Sequence, residues 1–272
     1  MPLRVETFDR IEDAARALQG NRNARVIGGG TLLMRGVNTG IHGFDTVIVV
    51  RGGQSREVHS DGTRLEIGAG VTMAAIAASP ELAFLAPAAR VVGGPAVRAA
   101  ATVGGNLFAR PPFGELTTAL LALGAQVHYV GHGSPQPIED FLRERGRDRT
   151  RIVRAVSLPR IGDPSAFRFF KVTRVAPKGA AILSIAAHMP VQGGRVSGAR
   201  IAVSNMGPTP LRAIGAERAL EGQPLNDDTA QRAAAAMMEG LSPLTDELAS
   251  EWYRREVAPV HLRRLLQPGY GR

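Results

Sequence analysis

The stretch Thr102-Val103-Gly104-Gly105-Asn106-Leu107, with its continuation through Pro111, Pro112, Gly114 and Glu115, decides how the rest of the chain is read. Two adjacent glycines follow a β-branched pair, and an apolar run at 116–123 comes soon after. That order predicts a tight backbone loop opening onto a helix. Glycine lets the main chain approach a ligand closely, and consecutive N–H groups can then converge on an anion. Asn106 adds an amide that both donates and accepts, and Glu115 can accept from sugar hydroxyls. Glu115 also has a purely structural reading, as an acid favoured at a helix N-terminus by the helix dipole.

A second glycine-rich stretch lies earlier: Val26-Ile27-Gly28-Gly29-Gly30-Thr31-Leu32-Leu33. It too follows a short apolar run and leads into another. It contains Gly-x-Gly, but Leu33 occupies the third position of a dinucleotide fingerprint. No acidic residue ends a strand about 20 residues on, so a Rossmann site is disfavoured. Taken alone, the stretch reads first as a simple strand-to-helix turn. Two such loops in one chain can close on the two sides of a diphosphate.

The pair of loops resembles the flavin subunit of the molybdenum hydroxylases, the xanthine dehydrogenase, aldehyde oxidase and carbon monoxide dehydrogenase family. In that family an Ala/Gly-Gly-Gly-Thr loop and a Thr-Ile/Val-Gly-Gly-Asn loop together hold FAD. The resemblance implies that Val26, Ile27, Gly28, Gly29, Gly30, Thr31, Leu32 and Leu33 line one side of the cofactor, with 28–31 at the pyrophosphate. It places Thr102, Gly104, Gly105 and Asn106 on the other side. Glu115 takes the place of an aspartate near the ribityl and ribose hydroxyls, and Lys171 matches a position that approaches the flavin. Ile67-Gly68-Ala69-Gly70-Val71-Thr72 and Val97-Arg98 resemble further family elements. So do Pro208-Thr209-Pro210-Leu211-Arg212-Ala213 and the closing run Asp246, Ser250, Tyr253-Arg254, Val257. That closing run also reads as an ordinary amphipathic helix with Trp252 and Tyr253 packed inward. Several positions depart from the family pattern: Leu32, Ala99, Glu115, Val175 and Gly179.

Composition bounds the rest. At 272 residues, 44% hydrophobic and 21% charged, the chain is long enough for two domains with separate cores. No apolar run reaches the length of a membrane span, and residues 1–20 do not read as a signal peptide, so a cytoplasmic location is expected. There are no cysteines, which excludes disulfides and iron–sulfur ligation within this chain. His128 and His132 are too few for a metal site, and no metal ligands or catalytic side chains are expected. The formal charge of +9 arises from 33 basic against 24 acidic residues. It reads as a solvated arginine-rich surface or as a face for an acidic partner. Nucleic acid is not expected, because aromatics make up only 5% and no binding motif is present.

Along the chain, helices are expected at 8–19 (capped by Asp9), 72–78, 82–92, 116–123, 211–222, 227–240 and 252–266. Strands are expected at 24–27, 46–50, 57–58, 64–67, 126–130, 152–158, 167–172, 182–189 and 198–203. The division falls at a flavin domain over 1–172, with subdomains of about 1–52 and 53–172, and a C-terminal domain over 173–272.

The resemblance implies an α+β fold: a two-subdomain flavin domain of vanillyl-alcohol-oxidase (PCMH) type, followed by a small antiparallel sheet with helices. It implies a medium subunit with non-covalent FAD, bound to a molybdopterin-binding large subunit and a [2Fe-2S] small subunit in a dimer of heterotrimers. Electrons would pass from the clusters through FAD to an external acceptor. The alternatives are a stand-alone flavin oxidase of the same superfamily and a basic scaffold that has lost FAD. The absent cysteine tether and the small C-terminal part speak against the first.

Overall fold

The computed structural model describes residues 3–40, 42–131, 133–175 and 179–267. The chain forms two compact units, each discontinuous in sequence. The first comprises Met1–Ile76, Gly94–Ala109 and Ala125–Arg160; the second comprises Ala77–Gly93, Arg110–Gly124 and Ile161–Arg272.

The first unit opens with a parallel sheet of β1 (Arg4–Phe8), β2 (Ala24–Ile27) and β3 (Thr46–Val50), in the order β1-β3-β2. The apolar β3 is central and pairs in parallel on both sides, which is why its residues run apolar without alternation. Helix Ile11–Gly20 lays Ile11, Ala14 and Leu18 into the core that holds Ile48. The helix starts after Arg10 without a side-chain cap, so Asp9 does not cap it. Strand β1 carries Arg4 and Glu6 on an edge, and that polar content hid it from pattern reading.

An antiparallel sheet follows, built from β4 (Val58–Ser60), β5 (Arg64–Gly68), β6 (Gln126–Tyr129), β7 (Gln136–Pro137) and β8 (Val153–Pro159). Its order is β4-β5-β8-β6-β7. Asp61 closes the first turn, its Oδ1 accepting from the N–H groups of Thr63 at 2.9 Å and Arg64 at 2.7 Å. Leu65 faces Leu158 and Ile67 faces Val156 across the ladder, all four buried.

The second unit is built on β9 (Phe167–Thr173), β10 (Ala181–His188), the hairpin β11 (Val191–Gln192) and β12 (Arg195–Val196), β13 (Arg200–Val203) and β14 (Leu211–Arg212). The main sheet runs β14-β13-β10-β9 and is antiparallel throughout. Leu183, Ile185, Ile201 and Val203 pack into one core with Leu220, Ala230, Ala233, Leu262 and Leu266. Those last five come from the helices Ile214–Leu220, Asp227–Ala236 and Glu251–Leu266. Asn226 caps the second of these, accepting from Thr229 N–H at 2.9 Å, and Ser250 the third, accepting from Tyr253 N–H at 3.1 Å. Each such cap contributes about 1 kcal/mol.

Buried Arg254 fastens the closing helix. Its guanidinium donates to both carboxylate oxygens of Asp246, at 2.7 and 2.8 Å, and to Ile182 O at 3.0 Å. Trp252 and Tyr253 do not pack inward as expected; they are 69% and 39% exposed. The inward positions of this helix are instead Arg254, Ala258, Leu262 and Leu265, because the bidentate arginine sets the helix phase.

Three further expectations are revised. The single helix over 82–92 is a 3₁₀ turn at Ala83–Leu85 and a helix Ala86–Arg90, since Pro87 cannot stand inside a longer helix. Leu211–Arg212 pairs with β13, so the helix after it begins only at Ile214. The domain boundary placed at 172 falls within β9, whose ladder with β10 runs from Phe167 to Thr173.

Candidate functional site

Strand β2 delivers Gly28-Gly29-Gly30 against the segment before Val103, within the first unit. A Cβ on Gly28 would stand 2.4 Å from Thr102 Oγ1, and one on Gly29 would stand 1.6 Å from Ala100 O. Gly30 adopts φ +70°, a region that favours glycine. Only a glycine run lets the two backbones approach this closely. Val26 and Ile27 sit in β2 beside Ile48 and Val49, and Leu33 opens the helix Leu33–Asn38.

The chain then turns into that helix, with Met34 N–H donating to Gly30 O at 2.9 Å and Arg35 N–H to Leu32 O at 3.2 Å. Among the described residues, the N–H groups of Gly29, Gly30, Thr31 and Leu32 donate to no acceptor. Gly29, Gly30 and Thr31 are half-buried and Leu32 is 37% exposed. Four consecutive donors on a partly open loop are thus left without a partner among the described residues.

The second loop is not a loop. Thr102 caps a short helix, Val103–Leu107, its hydroxyl accepting from Gly105 N–H at 3.1 Å. Val103 N–H donates to Val71 O at 2.9 Å, Gly104 N–H to Ala69 O at 2.8 Å and Asn106 N–H to Thr102 O at 2.9 Å. Its donors are thus engaged within the protein. Gly104 is needed for packing: a Cβ there would lie 3.1 Å from the Ala69 methyl and 3.2 Å from Ala69 O. Asn106 and Thr102 are both buried. The segment 67–72 forms the next layer, with Gly70 N–H donating to Ser55 O at 2.6 Å and no room for a Cβ on Gly68. The sequence brought both loops to attention. Unengaged N–H groups lie on the first, whereas those of the second are held within the protein.

Glu115 and Lys171 belong to the second unit, and there they meet each other. Glu115 opens the helix Glu115–Ala122 after Gly114, which holds φ +104°. Its Oε1 accepts from Lys171 Nζ at 2.6 Å, and its Oε2 from Gly114 N–H at 3.2 Å. Lys171 Nζ, carried on β9, also donates to Val91 O at 3.0 Å. Both side chains are 4% exposed, a buried pair at a helix N-terminus where the dipole favours the carboxylate. Ser184, opposite Lys171 in the β9–β10 ladder, is fully buried and its hydroxyl has no partner among the described residues. No spacing rule links positions 115 and 171, so only the fold reveals the pair.

Of the two histidines singled out, His132 lies outside the described residues. His128 is hydrogen-bonded to Ser157 Oγ at 2.8 Å, and burial holds its pKa below the ordinary imidazole value. No cluster of metal-ligating side chains occurs among the described residues, and no helix there is long and apolar enough to cross a membrane.

The family described as the FAD-binding domain in molybdopterin dehydrogenase matches residues 3–161, and the C-terminal domain of the CO dehydrogenase flavoprotein matches residues 168–268. The chain belongs to the FAD-binding medium subunits of the molybdopterin hydroxylase family. As a medium subunit it is 24% identical over 262 residues to the glyceraldehyde dehydrogenase medium chain of Sulfolobus acidocaldarius, spanning 93% of this chain and 92% of that one. It is 26% identical over 261 residues to the carbon monoxide dehydrogenase medium chain of Afipia carboxidovorans, spanning 90% and 88%. A carbon monoxide dehydrogenase structure from Hydrogenophaga pseudoflava, lacking the Mo-pyranopterin moiety of its cofactor, superposes with a TM-score of 0.90 at 24% identity, covering 98% and 96% of the two chains. Quinoline 2-oxidoreductase from Pseudomonas putida 86 gives 0.88 at 23% identity, covering 98% and 96%. Such structures share this medium subunit's α+β fold.

Proposed function

We propose that this medium subunit holds one non-covalent FAD and relays electrons to it from the [2Fe-2S] clusters of a partner subunit. A molybdopterin-bearing large subunit oxidises the substrate, and an external acceptor discharges the flavin. The observation that carries the reading is the interlocked glycine loop, whose donors at 29–32 are left for an anion while its backbone is wedged against 100–102.

The residues present fit FAD. Gly28 and Gly29 leave no room for a Cβ against Thr102 and Ala100, which fixes the loop's backbone, and a diphosphate is an anion that its four unengaged N–H groups can receive. FAD, when bound, supplies the ability to accept electrons singly and release them in pairs. The chain's own task is to hold and orient. Residues 28–32 bind the diphosphate, and the helix capped by Thr102 keeps their backbone in place. The Glu115–Lys171 pair ties β9 to the start of the helix Glu115–Ala122. No side chain is assigned a catalytic role.

The test is anaerobic stopped-flow absorbance of the isolated FAD-loaded chain. Addition of the reduced iron–sulfur partner bleaches the band near ~450 nm that oxidised flavins share, whereas purines, aldehydes and carbon monoxide alone leave it unchanged. Bleaching by one of those substrates without a partner would assign the chain to stand-alone oxidases instead.

A further inference from the structure

Outside the glycine loops, the first unit carries an open cleft of about 140 Å³ whose lining includes Phe108, Tyr129, Arg147 and Arg151. The guanidinium of Arg151 lies 3.5 Å from the centre of the Tyr129 ring. A guanidinium stacked in this way keeps its N–H edges available to a second group. Phe108 packs edge-on against Phe141 and is 47% exposed.

The two carboxylates of the cleft are already engaged. Asp148 Oδ1 accepts from Thr150 N–H at 2.8 Å and Thr150 Oγ1 at 2.7 Å, and Glu144 accepts from Gln136 Nε2 at 2.8 Å. By contrast, the guanidinium groups of Arg147 and Arg151 make no hydrogen bond or ion pair among the described residues. Asp148, whose carboxyl is held below the usual range first by its hydrogen bonds to Thr150, also lies in the field of Arg151, so what the cleft leaves open is the hydrogen-bonding capacity of the Arg147 and Arg151 N–H edges.

The cleft is also braced to the loop region. Arg145 Nη1 donates to Leu107 O and Ala109 O, both at 2.8 Å, which fastens the end of the helix that Thr102 caps. Arginine, tyrosine and phenylalanine together are the residues enriched in buried protein–protein contacts, and lysine is not among them. Arginine supplies all but two of this chain's 33 basic residues.

We propose that this cleft seats a carboxylate-bearing segment of a partner subunit, with Arg147 and Arg151 receiving the carboxylates and Phe108 an apolar side chain between them. The assignment rests on the reading of the chain as one subunit of a larger oxidoreductase. Two guanidiniums with open N–H edges beside the exposed Phe108 ring match a segment that carries both acids and an apolar side chain, which a small anion lacks.

The experiment purifies the assembled complex through a tag on this chain. Arg147→Lys and Arg151→Lys keep the charge and introduce an amine. Treatment of each complex with a zero-length carbodiimide, followed by peptide mapping, should show an amide from that amine to an Asp or Glu of another polypeptide. The charge reversal Arg147→Glu with Arg151→Glu should weaken assembly at least tenfold. Reversing exposed Arg51 and Arg160, at the same net charge, should not. Links confined to this chain, or equal weakening by both pairs, overturn the proposal. So does protection of the two amines by ADP or inorganic phosphate with assembly unaffected, which would mark a small-anion site. An unaltered chain that purifies without other subunits contradicts the functional reading and removes this proposal with it.

Discussion

Gly29→Ala probes the contact on which the cofactor site depends. The added Cβ would stand 1.6 Å from Ala100 O, whereas unstrained non-bonded atoms keep about 3.5 Å, so roughly 2 Å of separation must be found. Neither side can swing away, because both are main chain and Ala100 ends the helix Pro95–Ala100. The first loop must therefore back off its support. Overpacking of this kind costs about 1–3 kcal/mol in stability. Displacing two of the loop's N–H groups from a diphosphate removes charge-assisted hydrogen bonds of about 1.5–3 kcal/mol each. The FAD dissociation constant should rise on the order of a hundredfold to ten-thousandfold. Fluorescence titration with FAD measures this, with circular dichroism confirming that the chain stays folded. Gly20→Ala serves as the control, since a Cβ there meets nothing within 4 Å. A Gly29→Ala chain that binds FAD as tightly as the unaltered protein would refute the interlocked-loop argument.

Gly104→Val should also abolish FAD retention, through loss of the seat on Ala69, while the second unit keeps its far-UV signal; normal flavin content in that variant would show the buttress to be dispensable. Lys171→Met strands a buried carboxylate and should cost about 3–5 kcal/mol in urea denaturation, with the double change Glu115→Gln/Lys171→Met costing less than the single one. His188 and His261 have their pKa values lowered first by burial and then by Arg200 and Arg264 respectively. The unfolded chain therefore takes up protons first as pH falls below the ordinary imidazole value of 6.5. Stability should be fully present above that value and decline below it, and the decline should flatten in a His188→Gln/His261→Gln chain followed by thermal melts.

Much of this architecture was legible in the sequence because it is written in local signals. The apolar run of β3, the Asp61 turn, and the Asn226 cap each act over a few residues. The two glycine runs are local signals too, and the structure brings the first against the segment leading into the second. What escaped depends on long-range geometry. Val103–Leu107 reads as a loop because adjacent glycines suit a close approach to a ligand, yet the Thr102 cap and the carbonyls of Ala69 and Val71 hold it helical. Glu115 and Lys171 stand 56 positions apart, and only the placement of the helix Glu115–Ala122 and β9 within one unit lets them pair. Trp252 and Tyr253 looked like core residues by hydrophobicity. The buried Arg254 took the inward position because its fork finds Asp246 and a main-chain carbonyl.

The flavin content of the purified chain bears most directly on the central claim. The account predicts a yellow protein with one FAD per chain, released entirely into the supernatant on acid precipitation, and a nearly colourless Gly29→Ala protein. Colour retained in the acid pellet, or an unaltered chain that takes up no FAD from micromolar solution, would contradict it.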